Sequence, residues 1–518
     1  MKNINKSPNL SKENLSIIEL FSGIGAQKRG IDLTNLFNCK VIATSDVDKD
    51  AVLAYAAVHH ELDEKTINKY NDYPSEDVMR QELINKNIGY DFKKKSNPIQ
   101  RLKGDNLKKY WLAQKLANNL GDISRINKLP KADMWTYSFP CTDISVSGKQ
   151  DGLKSTCQDC RKEFNPIELE LDKGGKCPYC GSTNLDSTRS GLLKEVERLL
   201  INAKNENNLP KYLLLENVKN LVGKKFIDSF NAWISKLDTL GYNTYWKVVN
   251  AKDCGIPQNR ERIFAISIRK DVDNQQFQFM SEFDNGLRLK DFLEDNVDEK
   301  YYLSDEIQNR LQITDETFTK NVIGTTKPEF RTIGKRDLIY NSEGIMGCLI
   351  SSDYKQILES NRLILSTILT GGKWGKIHES CRRVYSTNGI APTISTCAGG
   401  NTEPKIVCEQ RKDEGLRFYK GDYIGTLRTI DSCGDKRVIE LKEENFRVRK
   451  LTPKECWRLM GFHDEDFEKA QNLGISDSTG YKLAGNSIVT NCIKGIMEHL
   501  YKAQCNPNYL CSDEITLS

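Results

Sequence analysis

Cys141 closes the run Ser138-Phe139-Pro140-Cys141, and three further groups capable of chemistry follow it in order. Glu216 ends the apolar run Leu213-Leu214-Leu215, and Arg260 and Arg262 flank Glu261 in Gln258-Asn259-Arg260-Glu261-Arg262. A thiolate is a strong nucleophile that can later leave, so it suits addition to an electron-poor carbon. A carboxyl group at the base of a pocket is desolvated, which raises its pKa and lets it carry or share a proton with a ring nitrogen. Guanidiniums stabilise negative charge developing on oxygen. Together these groups form a set for attacking a pyrimidine ring. Taken singly, each has a plainer reading: a small buried cysteine, a capping or surface glutamate, an arginine-rich strand edge. The order of the set argues against those readings.

Elements must exist to hold these groups. Ser16–Phe21, Lys40–Ser45, Asp133–Ser138 and Tyr212–Glu216 read as buried strands, and Gly191–Leu200 carries a helical pattern. Alternating strands and helices predict a parallel sheet covered on both faces. The first strand runs into Phe21-Ser22-Gly23-Ile24-Gly25 and then a predicted helix. Gly23 and Gly25 let the backbone approach a ligand closely, and the helix N-terminus favours a carboxylate. Asp46 ends the second strand, where an acid can accept both hydroxyls of a ribose. Asp122, in Gly121-Asp122-Ile123, is placed to accept from an adenine amino group. A third glycine of a dinucleotide fingerprint is replaced by Lys28, which argues against a nicotinamide enzyme.

Composition narrows the class. At 518 residues the chain exceeds one average domain, and 38% hydrophobic content with 28% charged predicts a core plus polar insertions. The net charge of +5 arises from 76 basic and 71 acidic residues, so nucleic-acid binding would need a local basic face. The sequence contains no run of eighteen apolar residues and no signal-peptide core near Met1, so the expectation is a soluble, cytoplasmic protein with no membrane partner. Sixteen cysteines in such a chain read as reduced, metal-bound or catalytic.

Three stretches interrupt the strand–helix rhythm. Residues 61–120 are polar and lysine-rich, as in Lys93-Lys94-Lys95, and read as a solvated helical insertion or a DNA-facing flap. Residues 154–187 hold Cys157-x-x-Cys160 and Cys177-x-x-Cys180 with sixteen residues between, a zinc-ribbon signal against which disulfides are the alternative. Residues 304–446 break into short strand-like pieces and read as a second domain.

Further motifs complete the pattern. Gly255–Phe264 contains the arginine pair, Arg449–Phe462 follows the second domain, and Tyr481-Lys482-Leu483-Ala484-Gly485-Asn486-Ser487-Ile488-Val489 lies near the end. Six ordered motifs over more than 450 residues resemble those of the cytosine-5 DNA methyltransferases of bacteria and phages. The resemblance implies an α/β fold: a Rossmann-like S-adenosylmethionine-dependent methyltransferase sheet, a smaller, mainly β target-recognition domain, and here a zinc-ribbon insertion. Its domains would be 1–303 (catalytic, carrying both insertions), 304–446 (target recognition) and 447–518 (returning to complete the catalytic domain). It carries Phe21, Gly23, Gly25, Asp46, Val47, Asp122, Ile123, Asn486 and Ser487 over as S-adenosylmethionine contacts. In this reading Cys141 adds to C6 of a flipped cytosine, Glu216 binds N3 and the exocyclic amine, and Asn217 braces the loop. Arg262 contacts O2, and Arg260 orients Cys141 or its loop. Two positions depart from the family: Thr142 stands where glutamine is usual, and its arginine-glycine step reads Arg189-Ser190-Gly191.

The expected partner is double-stranded DNA, bound by a monomer associated with the nucleoid. As a restriction companion it would share a system with a cognate endonuclease without a stable complex; a solitary enzyme and a phage-encoded protector would carry the same motifs. Structural zinc on Cys157, Cys160, Cys177 and Cys180 is the second cofactor expected, supporting the loop or touching DNA. Arg382–Thr393, with Lys373, Trp374 and Lys376, offers phosphate and base contacts. A cytosine-5 transfer-RNA methyltransferase and a non-catalytic zinc-containing DNA-binding protein are the competing readings; the length of 304–446 favours DNA.

Overall fold

The computed structural model describes residues 12–302 (except 93, 146–149, 172 and 174) and 449–505, together with the backbone of short strands between 322 and 448. The central sheet contains β1 (Glu13–Leu20), β2 (Phe37–Ser45), β3 (Met134–Tyr137), β7 (Tyr212–Val218), β8 (Tyr242–Asn250) and β10 (Glu261–Arg269). Their order is β2-β1-β3-β7-β10-β8. The four strands read from the sequence lie side by side and parallel. The sheet is nevertheless mixed, because β10 runs antiparallel to both β7 and β8. A chain that reaches β10 by a direct turn from β8 must reverse, whereas a parallel neighbour needs a crossover.

Apolar clusters cover both faces. One face carries α1 (Ala26–Asp32), α2 (Lys49–His60) and the C-terminal helix Thr490–Cys505. Helix α2 is buried over Ala51–Val58 and starts on Asp48, whose carboxylate accepts from the amides of Asp50 and Ala51. That side chain satisfies amides no helical carbonyl can reach. α1 meets the C-terminal helix so closely that a Cβ on Gly30 would fall 2.5 Å from Ile493 Cβ. The other face carries α6 (Leu193–Asn205) and α7 (Ile227–Leu240).

The lysine-rich stretch 61–120 is helical, as one of its two readings held, and it is packed rather than merely solvated. It forms α3 (Glu64–Lys69), α4 (Glu76–Asn85) and α5 (Gly104–Leu116). Leu83, Ile99, Leu107, Trp111 and Ala113 are sealed into the core, Lys65, Lys69, Lys94, Lys95 and Lys103 are exposed, and Lys86 turns inward to Gln114 Oε1 and Asn119 O. Apolar residues four apart at Leu107 and Trp111 carry that face.

Residues 154–187 form a three-stranded sheet, β5-β4-β6, from β4 (Ser155–Cys157), β5 (Glu163–Phe164) and β6 (Leu185–Ser187). Farther along, Lys405–Arg411 pairs with Phe446–Lys450 and Gly415–Arg417, and Ala391–Pro392 pairs with β9 (Gln258–Asn259). Tyr302 bridges Arg449, so the chain leaves and returns at one place. Lys373, Trp374, Lys376 and Arg382 lie outside the described residues, as do Lys93 and Val146–Gly148.

Candidate active site

Cys141 follows β3 and opens a turn: its carbonyl accepts from Ile144 N at 3.0 Å and Ser145 N at 2.8 Å. The turn is tied to the next strand by Asn217, whose amide donates to Phe139 O at 3.0 Å, so Asn217 lies where the expected brace belongs. Asn220 adds a bond to Ile144 O at 2.6 Å. β7 and β10 pair Glu216 with Phe264 and Val218 with Arg262, which brings Glu216 and Arg262 together beside the thiol. Arg262 Nε lies 3.3 Å from Glu216 Oε1.

The electrostatics are mutual. Burial raises the Glu216 carboxyl above its ordinary value, against the lowering pull of Arg262, Arg260 and the Ser138 hydroxyl. Burial also raises the Cys141 thiol; Glu216 adds to that rise and the two arginines oppose it. Arg260 is buried, and desolvation with the neighbouring Arg262 pushes it down to about 9, still charged at neutral pH. Its Nη2 donates to Gly485 O at 3.0 Å and Ser487 O at 2.7 Å. Arg260 thus acts on Cys141 by charge while tying the final motif to the same corner.

At the sheet's carboxyl edge, β1 ends in a turn where Phe21 (φ 58°), Gly23 (φ 54°) and Gly25 (φ 78°) all take left-handed backbone. Phe21 in that region costs energy that a plain turn would avoid, a mark of a functional loop. Gly25 is required on a second count, because a Cβ there would lie 2.2 Å from His59 Nε2. A Cβ on Gly23 would instead meet open space. Gly23 N donates to Asp46 Oδ2 at 2.8 Å. Burial, and then Asp48, raise the Asp46 carboxyl to about 6. Asp122 accepts from Asn87 Nδ2 at 2.7 Å and Ser124 N at 3.0 Å. Ile123 and Ser487 are buried, Val47 is half-buried, and Asn486 is exposed at the end of its helix. Open space at Gly23 beside a carboxylate, with a second carboxylate on the neighbouring loop, fits the donors of an adenosyl group.

Residues the sequence reading missed hold these loops. Asn119, fully buried, accepts from Asp46 N at 3.0 Å and donates to Asp46 O at 2.9 Å. Gly89 N donates to Val47 O at 2.7 Å. Asn87 and Gly89 come from the 61–120 stretch, so it braces the loops that carry Asp122 and Val47. Asn119 stands two residues before Gly121-Asp122, which was its signal in the sequence, whereas Asn87 and Gly89 adjoin no motif.

The four cysteines of the insertion bring their sulfurs within 4.8 Å of one another. Cys157 and Cys180 sulfurs are 3.5 Å apart, as are those of Cys160 and Cys177, so none is disulfide-bonded. The two knuckles match: Arg161 N donates to Cys157 O at 2.9 Å and Gly181 N to Cys177 O at 2.8 Å. Arg161 (φ 62°) and Gly181 (φ 77°) share the left-handed conformation. Among the described residues this is the one cluster with a metal-binding donor set.

A family model described as C-5 cytosine-specific DNA methylase matches residues 93–163 and 179–502, and its gap falls within the cysteine insertion. The type II methyltransferase M2.ScrFI of Lactococcus lactis subsp. cremoris is 31% identical over 495 residues, covering 95% of this chain and 100% of its own. The orphan methyltransferase M.SPBetaI of Bacillus phage SPbeta is 29% identical over 536 residues, covering 95% of this chain and 98% of its own. The orphan methyltransferase M.SssI of Spiroplasma monobiae is 34% identical over 278 residues, 51% of this chain and 61% of its own. The transfer-RNA and binding-only readings are not favoured by these relatives. No helix among the described residues is long and apolar enough to cross a membrane. The chain belongs to the C-5 cytosine-specific DNA methylase family and is a DNA (cytosine-5) methyltransferase, a membership that implies S-adenosylmethionine as methyl donor.

Proposed function

We propose that Cys141, Glu216, Arg260 and Arg262 form the catalytic set, acting on a cytosine turned out of duplex DNA. Cys141, as thiolate, adds to C6, and the ring electrons move toward N3 and O2. Glu216 supplies the proton at N3, and Arg262 holds O2. C5 then carries the electron density needed to take a methyl group. S-adenosylmethionine, when bound, supplies an electrophilic methyl carbon. Water or a base removes the C5 proton, Cys141 leaves C6 as thiolate, and N3 returns its proton to Glu216. The observation that carries this reading is the 3.3 Å contact of Arg262 with Glu216, both acting on the Cys141 thiol with opposite sign. When Glu216 takes up its proton, its repulsion of the thiolate ends and the attraction of the arginines remains.

Phe21, Gly23, Gly25, Asp46, Val47, Asp122, Ile123, Asn486 and Ser487 are proposed to hold the cofactor. Asp46 would accept the ribose hydroxyls and Asp122 the adenine amino group, its Oδ2 having room for a second donor beside Asn87. Structural zinc on Cys157, Cys160, Cys177 and Cys180 is supported by four convergent thiols with matching knuckles. Residues 304–446 would form the target-recognition domain, since Tyr302 and Arg449 pair at its base. Residues 1–303 and 447–518 would then make the catalytic domain.

Two assays test the reading. A 5-fluorocytosine duplex should form a covalent adduct with the wild type in the presence of S-adenosylmethionine; absence of adduct sinks the catalytic set. Sequencing methylated cytosines in DNA from expressing cells should show methyl groups at C5 within one recurring sequence.

A further inference from the structure

The cysteine insertion and the nucleophile share a clamp that the scheme above leaves unused. From the Cys141 turn the chain passes through Gly152 into β4, and it returns down β6 to Ser190. β4 and β6 lie side by side, with Ser155 paired to Ser187 and Cys157 to Leu185. Below this neck Thr188 N donates to Lys154 O at 2.9 Å, and Thr188 Oγ1 donates to Gly152 O at 2.8 Å. Two residues on, Ser190 is fully buried. Its Oγ donates to Pro140 O at 2.6 Å and accepts from Asp143 N at 3.2 Å. Its own N–H donates to Asp143 Oδ2 at 2.9 Å. The residues on both sides of Cys141 are therefore held by the exit of the insertion.

The far side of the insertion is fixed as well. Asn165 Nδ2 donates to Ser229 Oγ at 2.9 Å, and Lys236 on α7 donates to Pro166 O at 3.2 Å. Ile167 is buried in the main core. Strands of three residues do not hold register unaided. Cys157 ends β4, and its sulfur converges with those of Cys177 and Cys180 just before β6, so one centre fixes both sides of the neck. A nucleophile displaced by about 1 Å loses about a hundredfold in rate.

We propose that Ser190 is a positioning residue for Cys141, and that the four-cysteine centre sets the nucleophile through it by holding the β4–β6 neck. This rests on Cys141 as nucleophile and on zinc at the cysteines.

The test uses the full chain and the variants Ser190→Ala, Asp143→Ala and Cys177→Ser. Four quantities are measured: zinc content, S-adenosylmethionine Kd, kcat and KM on duplex DNA, and the pH profile of covalent trapping. Ser190→Ala and Asp143→Ala keep zinc, hold the Kd within about twofold and lower kcat and trapping by about 10- to 100-fold with little change in KM. Cys177→Ser loses zinc and shows the same kinetic defect, and adding Ser190→Ala to it lowers the rate no further, as expected of one coupled unit. Trapping by Ser190→Ala and Asp143→Ala within about twofold of wild type overturns the positioning role. Zinc loss without a kinetic defect overturns the coupling. Wild-type protein without bound zinc overturns the metal half alone, and trapping by Cys141→Ala removes the catalytic reading beneath both. Should Ser190→Ala misfold, Asp143→Ala, whose side chain is partly exposed, decides the positioning role.

Discussion

Strand β7 and strand β4 each carry a residue assigned to the site, Glu216 and Cys157, and they are held in different ways. β7 has seven residues, pairs on both sides and is buried through most of its length. β4 has three, and the apolar cluster around it reduces to Cys157, Phe164 and Cys177, with Cys160, Leu169 and Leu185 against them. Burial at about 25 cal/mol per Å² can order the sheet, but a cluster of that size cannot offset the entropy of its loops. The proposed catalytic groups therefore stand at or just beyond strand ends fixed by the core, while the insertion, on the reading proposed above, would reach the same precision through a metal.

The sharpest break on the sheet side is Cys141→Ala. Methyl transfer and covalent trapping should fall by at least about a thousandfold, while S-adenosylmethionine binding, followed by titration, stays unchanged. On the insertion side, stripping zinc with chelator should abolish hydrogen-exchange protection over β4, β5 and β6 and leave β1, β3 and β7 protected. Simultaneous loss in both regions would erase the contrast.

Packing gives a smaller effect. Gly30→Ala forces a methyl group against Ile493 and should cost about 1–3 kcal/mol in urea unfolding, with the zinc content untouched. Electrostatics sharpen the picture last. Glu216→Gln removes the charge that raises the Cys141 thiol, so the pH dependence of Cys141 alkylation should move to lower pH; Arg262→Gln should move it higher. Asp46, with its carboxyl raised to about 6, must be ionised to accept two hydroxyls. Cofactor affinity should then be full above that pH and decline as pH falls through it, as a Kd series would reveal.

Much of the site was legible because its chemistry is local in sequence. Pro140-Cys141, the end of the β7 run at Glu216 and the Arg260–Arg262 pair each advertise a strand end bearing a reactive group. The four strands read from apolar runs all lie in the sheet, but the reversal at β10 did not show, since an alternating or apolar run carries no direction. The packing of 61–120 was hidden by its lysines, which share helices with Leu107 and Trp111. The roles of Asn87, Asn119 and Ser190 were hidden for another reason, although Ser190 was already marked as a departure from the family. Each works through a hydrogen bond to a distant segment, as Ser190 does to Pro140 fifty residues away.

The sequence by itself determined the family, and it nominated the proposed nucleophile, its acid and arginine partners and a donor set that could hold a metal, because residue type and order suffice for those. Only the tertiary structure decided that Arg260, beside Cys141, bonds the Gly485–Ser487 turn, that the polar insertion bonds the loops of Val47 and Asp122, and that the exit of the cysteine module bonds Pro140 and Asp143 on either side of Cys141. Those depend on which backbone carbonyls a folded chain brings within about 3 Å of a donor, and residue order does not encode that distance.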